Sequence, residues 1–131
     1  MDKIKLSLSN QEIFDKAVTH LHTQGKRSVN EEGDCLYRNA DGLKCVAGIF
    51  IPDEKYHPEM EGKPSHLIIE TKEDETKEDY FFLNVLQEIH DFWNKIVPFD
   101  RLKRIAMHER LNTNILYFLP KNSPLRFLST N

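Results

Sequence analysis

The run Ser9-Asn10-Gln11-Glu12 constrains this chain more than any other stretch, because it sets the first turn of a helix. A serine followed three residues later by a glutamate forms a capping box, in which the serine hydroxyl takes the Glu12 amide and the Glu12 carboxylate takes the Ser9 amide. Leu8 and Ile13 stand at the staple positions around it. Ile13, Phe14, Ala17, Val18 and Leu21 then recur at helical spacing, and Gly25 suits the left-handed residue that closes a helix. The pattern predicts a helix over residues 10–24 with one apolar stripe, which the remaining chain must cover.

Phe82, Leu83, Leu86, Ile89, Phe92, Trp93 and Ile96 supply the widest cover. Their spacing predicts a second helix from near Asp79 to Pro98, broad enough in its apolar face to sit at the centre of the core. Asp100 is the expected N-cap of a third helix over residues 101–111, with Leu102, Ile105 and Ala106 inward and Asn112 closing it. Between the first two helices, Leu36-Tyr37-Arg38 and Leu43-Lys44-Cys45 bracket Asn39-Ala40-Asp41-Gly42, and the Asp-Gly step predicts a short hairpin. Val46, Ala47, Ile49 and Phe50 fit a short buried helix or a strand, and Pro52 ends the run.

At 131 residues the chain fits one domain over its whole length. The expected class is α+β, mainly α, with about three helices packed on a small β-hairpin. Residues 113–131 are apolar but broken by Pro120 and Pro124, and read as a C-terminal arm able to join copies of the chain into a homo-oligomer. No stretch approaches the roughly 20 apolar residues of a membrane span. MDKIKLSLSN lacks the apolar run of a secretion signal, which points to the cytoplasm and to free rather than paired Cys35 and Cys45.

Charge is uneven. Residues 1–94 hold 11 Lys/Arg against 19 Asp/Glu, and residues 95–131 hold 7 against 2. An acidic majority is unsuited to a phosphate backbone, so direct nucleic-acid binding is not expected. Glu70 to Asp79 has no large apolar residue and reads as a solvent-exposed acidic stretch. Asp53, Glu54 and Glu61 surround Tyr56 on a loop, a mixture that suits a basic protein partner and is equally common on a solvated turn.

Catalytic and metal patterns are sparse. His20 and His22 point about 200° apart on one helix, and no His-x-x-x-His, HExxH or paired CxxC occurs, so no metal site is expected. The glycines build no phosphate loop, and no cofactor is implied. Cys45 reads first as a small core residue and His90 as a buried, hydrogen-bonded imidazole. Cys45, His90 and Asp91 are nonetheless the one nucleophile, base and orienter set available for a small cysteine/histidine enzyme. Neighbouring positions on a helix diverge by about 100°, which predicts poor orientation of His90 by Asp91.

One resemblance spans residues 11–106. Tyr37, Arg38, Asp41, Gly42, Lys44 and Cys45, then Ile51, Pro52, Asp53, Glu54 and Tyr56, then Glu61, Gly62, Gln87, His90 and Asp91 resemble a pattern found in a group of small uncharacterised proteins encoded by phages and prophages. Asn39-Ala40 departs from it, standing where that group has glycine and proline. The resemblance implies a mobile-element origin and, by association with its class, a non-enzymatic protein that binds a host protein or complex in a bacterial cytoplasm. An inhibitor of a defence system, of the anti-CRISPR kind, acting by steric occlusion is the expected form. Its acids Asp53, Glu54, Glu61, Glu73, Asp74 and Glu75, with Tyr56, would meet a basic surface.

Overall fold

A computed structural model describes residues 2–73 and 81–131. The chain is α+β and mainly α. Strand β1 (Ile4–Leu6) leads into helix α1 (Asn10–Gln24), then a series of short 3-10 turns, strand β2 (Ile69–Thr71), and helices α2 (Phe82–Asp91), α3 (Pro98–His108) and α4 (Asn114–Tyr117). A last 3-10 turn covers Pro124–Arg126.

The expected first helix forms residue for residue. Ser9 and Glu12 make the reciprocal box, and Gly25 closes the helix at φ 75°. The Ser9 amide holds the Glu12 carboxyl below its usual range. The Asn10 amide adds a third anchor by donating to the Glu73 carboxylate at 2.8 Å, an anion at the positive end of the helix. Ile13, Phe14, Ala17, Val18 and Leu21 are all completely buried.

Helix α2 lies at the centre, touching α1, α3 and the turns at Ala47–Phe50 and Ser65–Leu67. It ends at Asp91, five residues earlier than Ile96, and the apolar pattern continues through a turn because the Phe92 and Trp93 amides bond back to Glu88 and His90. Trp93 is thereby delivered, fully buried, into the core, where its indole N–H donates to the Phe127 carbonyl at 3.0 Å. Pro98 starts α3 instead of stopping α2. It occupies the first turn, where its missing N–H costs nothing, so Val97 and not Asp100 precedes the helix. At the far end the left-handed residue is Arg110, with φ 57°, and not Asn112.

The sheet differs most from expectation. Ile4, Lys5 and Leu6 pair in parallel with Ile69, Glu70 and Thr71, while the Asn39–Gly42 turn carries a single antiparallel bridge, Arg38 to Lys44, in place of a hairpin ladder. The turn itself forms as read, with Gly42 at φ 82° and the Asn39 side chain accepting the Asp41 and Leu43 amides. Its flanking amides go elsewhere: Tyr37 and Arg38 donate to the two oxygens of Glu61, at 2.7 and 3.1 Å. Gly48 is fixed by the same crowding, since a Cβ there would collide with the Tyr37 carbonyl.

Residues 113–131 fold back on the chain's own core. Leu116 and Leu125 are fully buried, and α4 and the Pro124–Arg126 turn both touch α1. Tyr117, Phe118, Phe127 and Leu128 remain exposed. Among the described residues no helix is long and apolar enough to cross a membrane.

Candidate functional site

The outer face of α2 and the loops at Cys35–Tyr37 and Gly62–Ser65 enclose a cleft of about 380 Å³. Cys35, Tyr37, Cys45, Lys63, Asn84, Gln87, Glu88 and Asp91 line it. His90, next to Asp91 in the last turn of α2, is fully buried. The Ser28 amide donates to His90 Nε2 at 2.8 Å, so that nitrogen carries the lone pair and Nδ1 the proton. Nδ1 then donates to Asp91 Oδ1 at 2.9 Å. The expected divergence of these two neighbours does not hold. Cα–Cβ directions fix where side chains leave the helix, and the terminal atoms of both reach far enough to converge.

Asp91 Oδ1 also accepts the Gln87 amide at 2.7 Å, and Gln87 in turn accepts the Ala47 amide at 2.8 Å. One carboxylate oxygen is thus held by two donors while the side chain keeps about a third of its surface (34%) exposed. Arg27, though buried, reaches the Asp91 carbonyl at 3.3 Å and lies 4.0 Å from Cys35 Sγ. Asn131 grips Arg27 from behind: its carbonyl accepts from the guanidinium, and its side-chain amide donates to the Arg27 carbonyl at 3.0 Å.

Both cysteines are free. Cys45 stands at the entrance to a short helical turn, where a lowered pKa is expected of a reactive thiol, and the opposite is found. Burial pushes it well up, outweighing the Gly48 amide that donates to its sulfur at 3.3 Å. Burial and then the Asp91 carboxylate push Cys35 up to about 12. Cys35, and not Cys45, is the sulfur that shares a cluster with His90 and Asp91, their polar atoms all within 4.8 Å of one another. His90 offers neither thiol a free acceptor, since its Nε2 already accepts from Ser28 and its Nδ1 already donates to Asp91, and the Asp91 carboxylate beside Cys35 raises the pKa of that thiol instead of lowering it.

The same tautomer argues against a metal at this cluster. Coordination through Nδ1 would transfer the imidazole proton to Nε2, where the Ser28 N–H already points, and the Arg27 guanidinium would face the ion across Cys35. The two donors would then meet head to head. His20 and His22 serve different elements, His20 Nε2 meeting the Lys44 carbonyl and His22 Nδ1 the Ser123 hydroxyl, each at 2.8 Å.

The residues expected to meet a partner separate into two sets. Glu61 is an internal hub, accepting the Tyr37 and Arg38 amides and the Tyr56 hydroxyl, the last at 2.8 Å. Burial and Glu61 push the Tyr56 phenol up to about 12. The Arg38 guanidinium lies 4.7 Å over the Tyr56 ring, pairs with Asp53 at 2.8 Å and donates to the Ile51 carbonyl at 2.6 Å. Glu73 anchors α1. Glu54 is exposed, whereas Asp74 and Glu75 lie outside the described residues.

Arg27, Ser28 and Cys35 were not legible as site residues. Ser28 acts through its backbone amide, which no sequence pattern marks. Arg27 and Cys35 stand in a polar loop without periodicity. The one signal was the Gln87, His90, Asp91 spacing, which puts His90 and Asp91 about one turn beyond Gln87 on α2. In comparisons with known proteins, no family model, no curated protein and no solved structure matches this chain.

Proposed function

We propose that this chain is a non-enzymatic binding protein of phage or prophage origin that inhibits a host protein complex, of the bacterial defence class, by covering a basic surface. The observation that carries the reading is the state of the cleft groups: thiols held protonated and an imidazole with both nitrogens engaged leave a rigid recognition surface and no nucleophile. The resemblance to small phage and prophage proteins supplies the origin and the class of target.

The acids that support occlusion change with the geometry. Glu61 and Glu73 are engaged inside the fold, while Glu31, Glu32, Asp34, Asp41, Glu54 and Glu59 are exposed. Glu31 and Asp41 flank one groove, and the nearby Cys35–Tyr37 segment lines the cleft. These loops form the docking face of the proposed inhibitor.

Affinity capture from a bacterial lysate, run at low and high salt, tests the proposal. A stoichiometric protein partner is expected at low salt, released as ionic strength rises and displaced by competing nucleic acid. A triple Glu31→Lys, Glu32→Lys, Glu54→Lys variant should lose it. A partner held equally at high salt and by the triple variant overturns the acidic-surface mechanism, and an empty capture overturns protein binding.

A further inference from the structure

We infer that His90 is an acid-operated latch: a proton taken up at Nε2 of its ring detaches the Arg27–Cys35 loop from the last turn of α2. The latch is built into the fold and needs no partner. The loop it holds carries Glu31, Glu32 and Asp34, three of the exposed acids of the docking face proposed above.

The attachment is narrow. The loop reaches α2 through the Ser28 amide on His90 Nε2 at 2.8 Å, Arg27 Nη1 on the Asp91 carbonyl at 3.3 Å, and the Cys35 thiol beside the Asp91 carboxylate. All three end on two adjacent residues. The remaining bonds of Arg27 and Ser28 run elsewhere. The Ser28 carbonyl accepts the Leu36 amide at 2.9 Å, its hydroxyl donates to the Leu43 carbonyl at 3.1 Å, and Asn131 grips Arg27. Within the loop, Val29 bridges to Cys35 and the Asn30 amide donates to the Asp34 carbonyl. The loop can therefore part from α2 without unmaking its own turns.

The charge of the ring decides whether that attachment exists. A neutral imidazole with its proton on Nδ1 offers Nε2 as an acceptor, and the buried Ser28 N–H uses it. An imidazolium donates from both nitrogens, so two N–H groups would face each other across 2.8 Å, away from water. The proton is accommodated only when Ser28 withdraws, because a buried donor without an acceptor is costly.

The groups around the ring leave this direction standing. Asp91 accepts the Nδ1 proton and favours the charged ring, but it adjoins His90 on α2 and keeps that contact whether the loop is on or off. Gln87, which holds the same oxygen, stays with it. Their pull therefore does not separate the two states. His20 of α1 lies within electrostatic reach, also remains in place, and is held toward its neutral form by burial. Burial keeps Cys45 and Tyr37, across the cleft, uncharged, and Glu88 and Lys63 on its walls are opposite in sign. What leaves with the loop is the Ser28 N–H, the Arg27 guanidinium and the cover over the ring, and each of these opposes a positive His90. The closed loop is thus favoured at higher pH and loses stability as pH falls.

The test is NMR of the isotopically labelled full chain from about pH 8 to 5, the span over which imidazoles change charge. Ring nitrogen shifts report the charge and tautomer of His90, and amide hydrogen exchange, corrected for its intrinsic pH dependence, reports the loop. At the upper end Nδ1 is expected to carry the proton and Nε2 none. On acidification the Ser28 protection factor should fall about tenfold per pH unit, one proton being taken up on opening, while the amides of α1 stay protected. His90→Gln supplies a neutral acceptor, so Ser28 protection should become independent of pH, and Asp91→Asn should move the opening to lower pH. Full Ser28 protection beside a charged His90, a His90 that charges only as α1 unfolds, or an unchanged pH dependence in His90→Gln overturns the latch. Should His90→Gln fail to fold, the ring shifts and Ser28 exchange of the parent decide alone. No partner enters these readouts, so the latch and the docking face stand or fall separately.

Discussion

Replacing Glu61 by alanine removes one carboxylate and strands three donors at once. The Tyr37 and Arg38 amides, at 2.7 and 3.1 Å, have no alternative acceptor on a neighbouring strand, and the Tyr56 hydroxyl, at 2.8 Å, loses its partner as well. Hydrogen bonds to a charged group contribute about 1.5–3 kcal/mol each, and these lie in partly buried surroundings, so the lower end applies and the loss is about 3–5 kcal/mol. For a domain of this size each kcal/mol lowers Tm by about 4 °C, which places the expected drop at about 10–20 °C. Urea and thermal unfolding followed by Trp93 fluorescence measure it. Tyr56→Phe removes only the phenol bond and should cost about 1 kcal/mol, while Glu61→Gln should fall between the two. As an internal check, the Tyr56 phenol should ionise at lower pH once Glu61 is gone, because that carboxylate is its second source of elevation after burial. A Glu61→Ala loss below about 1 kcal/mol, or equal to that of Tyr56→Phe, would refute the hub, because the two amides would then have found other acceptors.

Thiol chemistry gives a second test. With Cys35 pushed up to about 12 and Cys45 higher still, only about one Cys35 in ten thousand is thiolate at pH 8, against roughly a quarter of free cysteine. The few thiolates are partly offset by the greater nucleophilicity of a high-pKa thiolate, so reaction of the native protein with a disulfide reagent should run at least about tenfold slower than that of free cysteine, and labelling as fast as free cysteine would contradict the assignment. His20 gives a pH test. Burial lowers its pKa from 6.5, so the unfolded chain binds a proton that the folded chain does not, and stability present above pH 6.5 is lost as pH falls toward the folded value. Unfolding free energies measured from pH 7 to 5 should decline less steeply in His20→Gln than in the parent. An unchanged slope would remove His20 from the account.

How much of this was legible in the sequence depended on whether the deciding interaction was local. The first helix was fully readable because its start, stripe and stop all act within one turn of the residues concerned: Ser9 with Glu12, and Gly25 with Leu21. The Asp41-Gly42 turn was readable for the same reason. The ladder it should have closed was not, because the amides of Tyr37 and Arg38 are claimed by a carboxylate more than 20 residues away. Proline was ambiguous in kind, since Pro98 is as suited to opening α3 as to ending α2. The parallel pairing of β1 with β2 joins segments about 65 residues apart, with three residues on each side, too short for any period to show. In the cleft, the sequence pattern grouped His90 and Asp91 with Cys45, and the fold sets Cys35 beside them. Cys45 has the apolar flanks of a core residue and is one, whereas the Arg27–Cys35 loop is delivered to α2 by the Ser28 amide.

The return of residues 113–131 onto α1 also sets an order of events during synthesis. His22 waits for Ser123, 101 residues later, and the α1 stripe is finished only when Leu116 and Leu125 arrive. At an elongation rate of about 5–20 residues per second that interval is about 5–20 s. Throughout it the apolar stripe of α1 lacks the cover that Leu116 and Leu125 give it in the finished fold. A chain ended before Leu125 would leave that part of the α1 stripe open to solvent, so a truncated product is expected to be more prone to aggregate than the full chain.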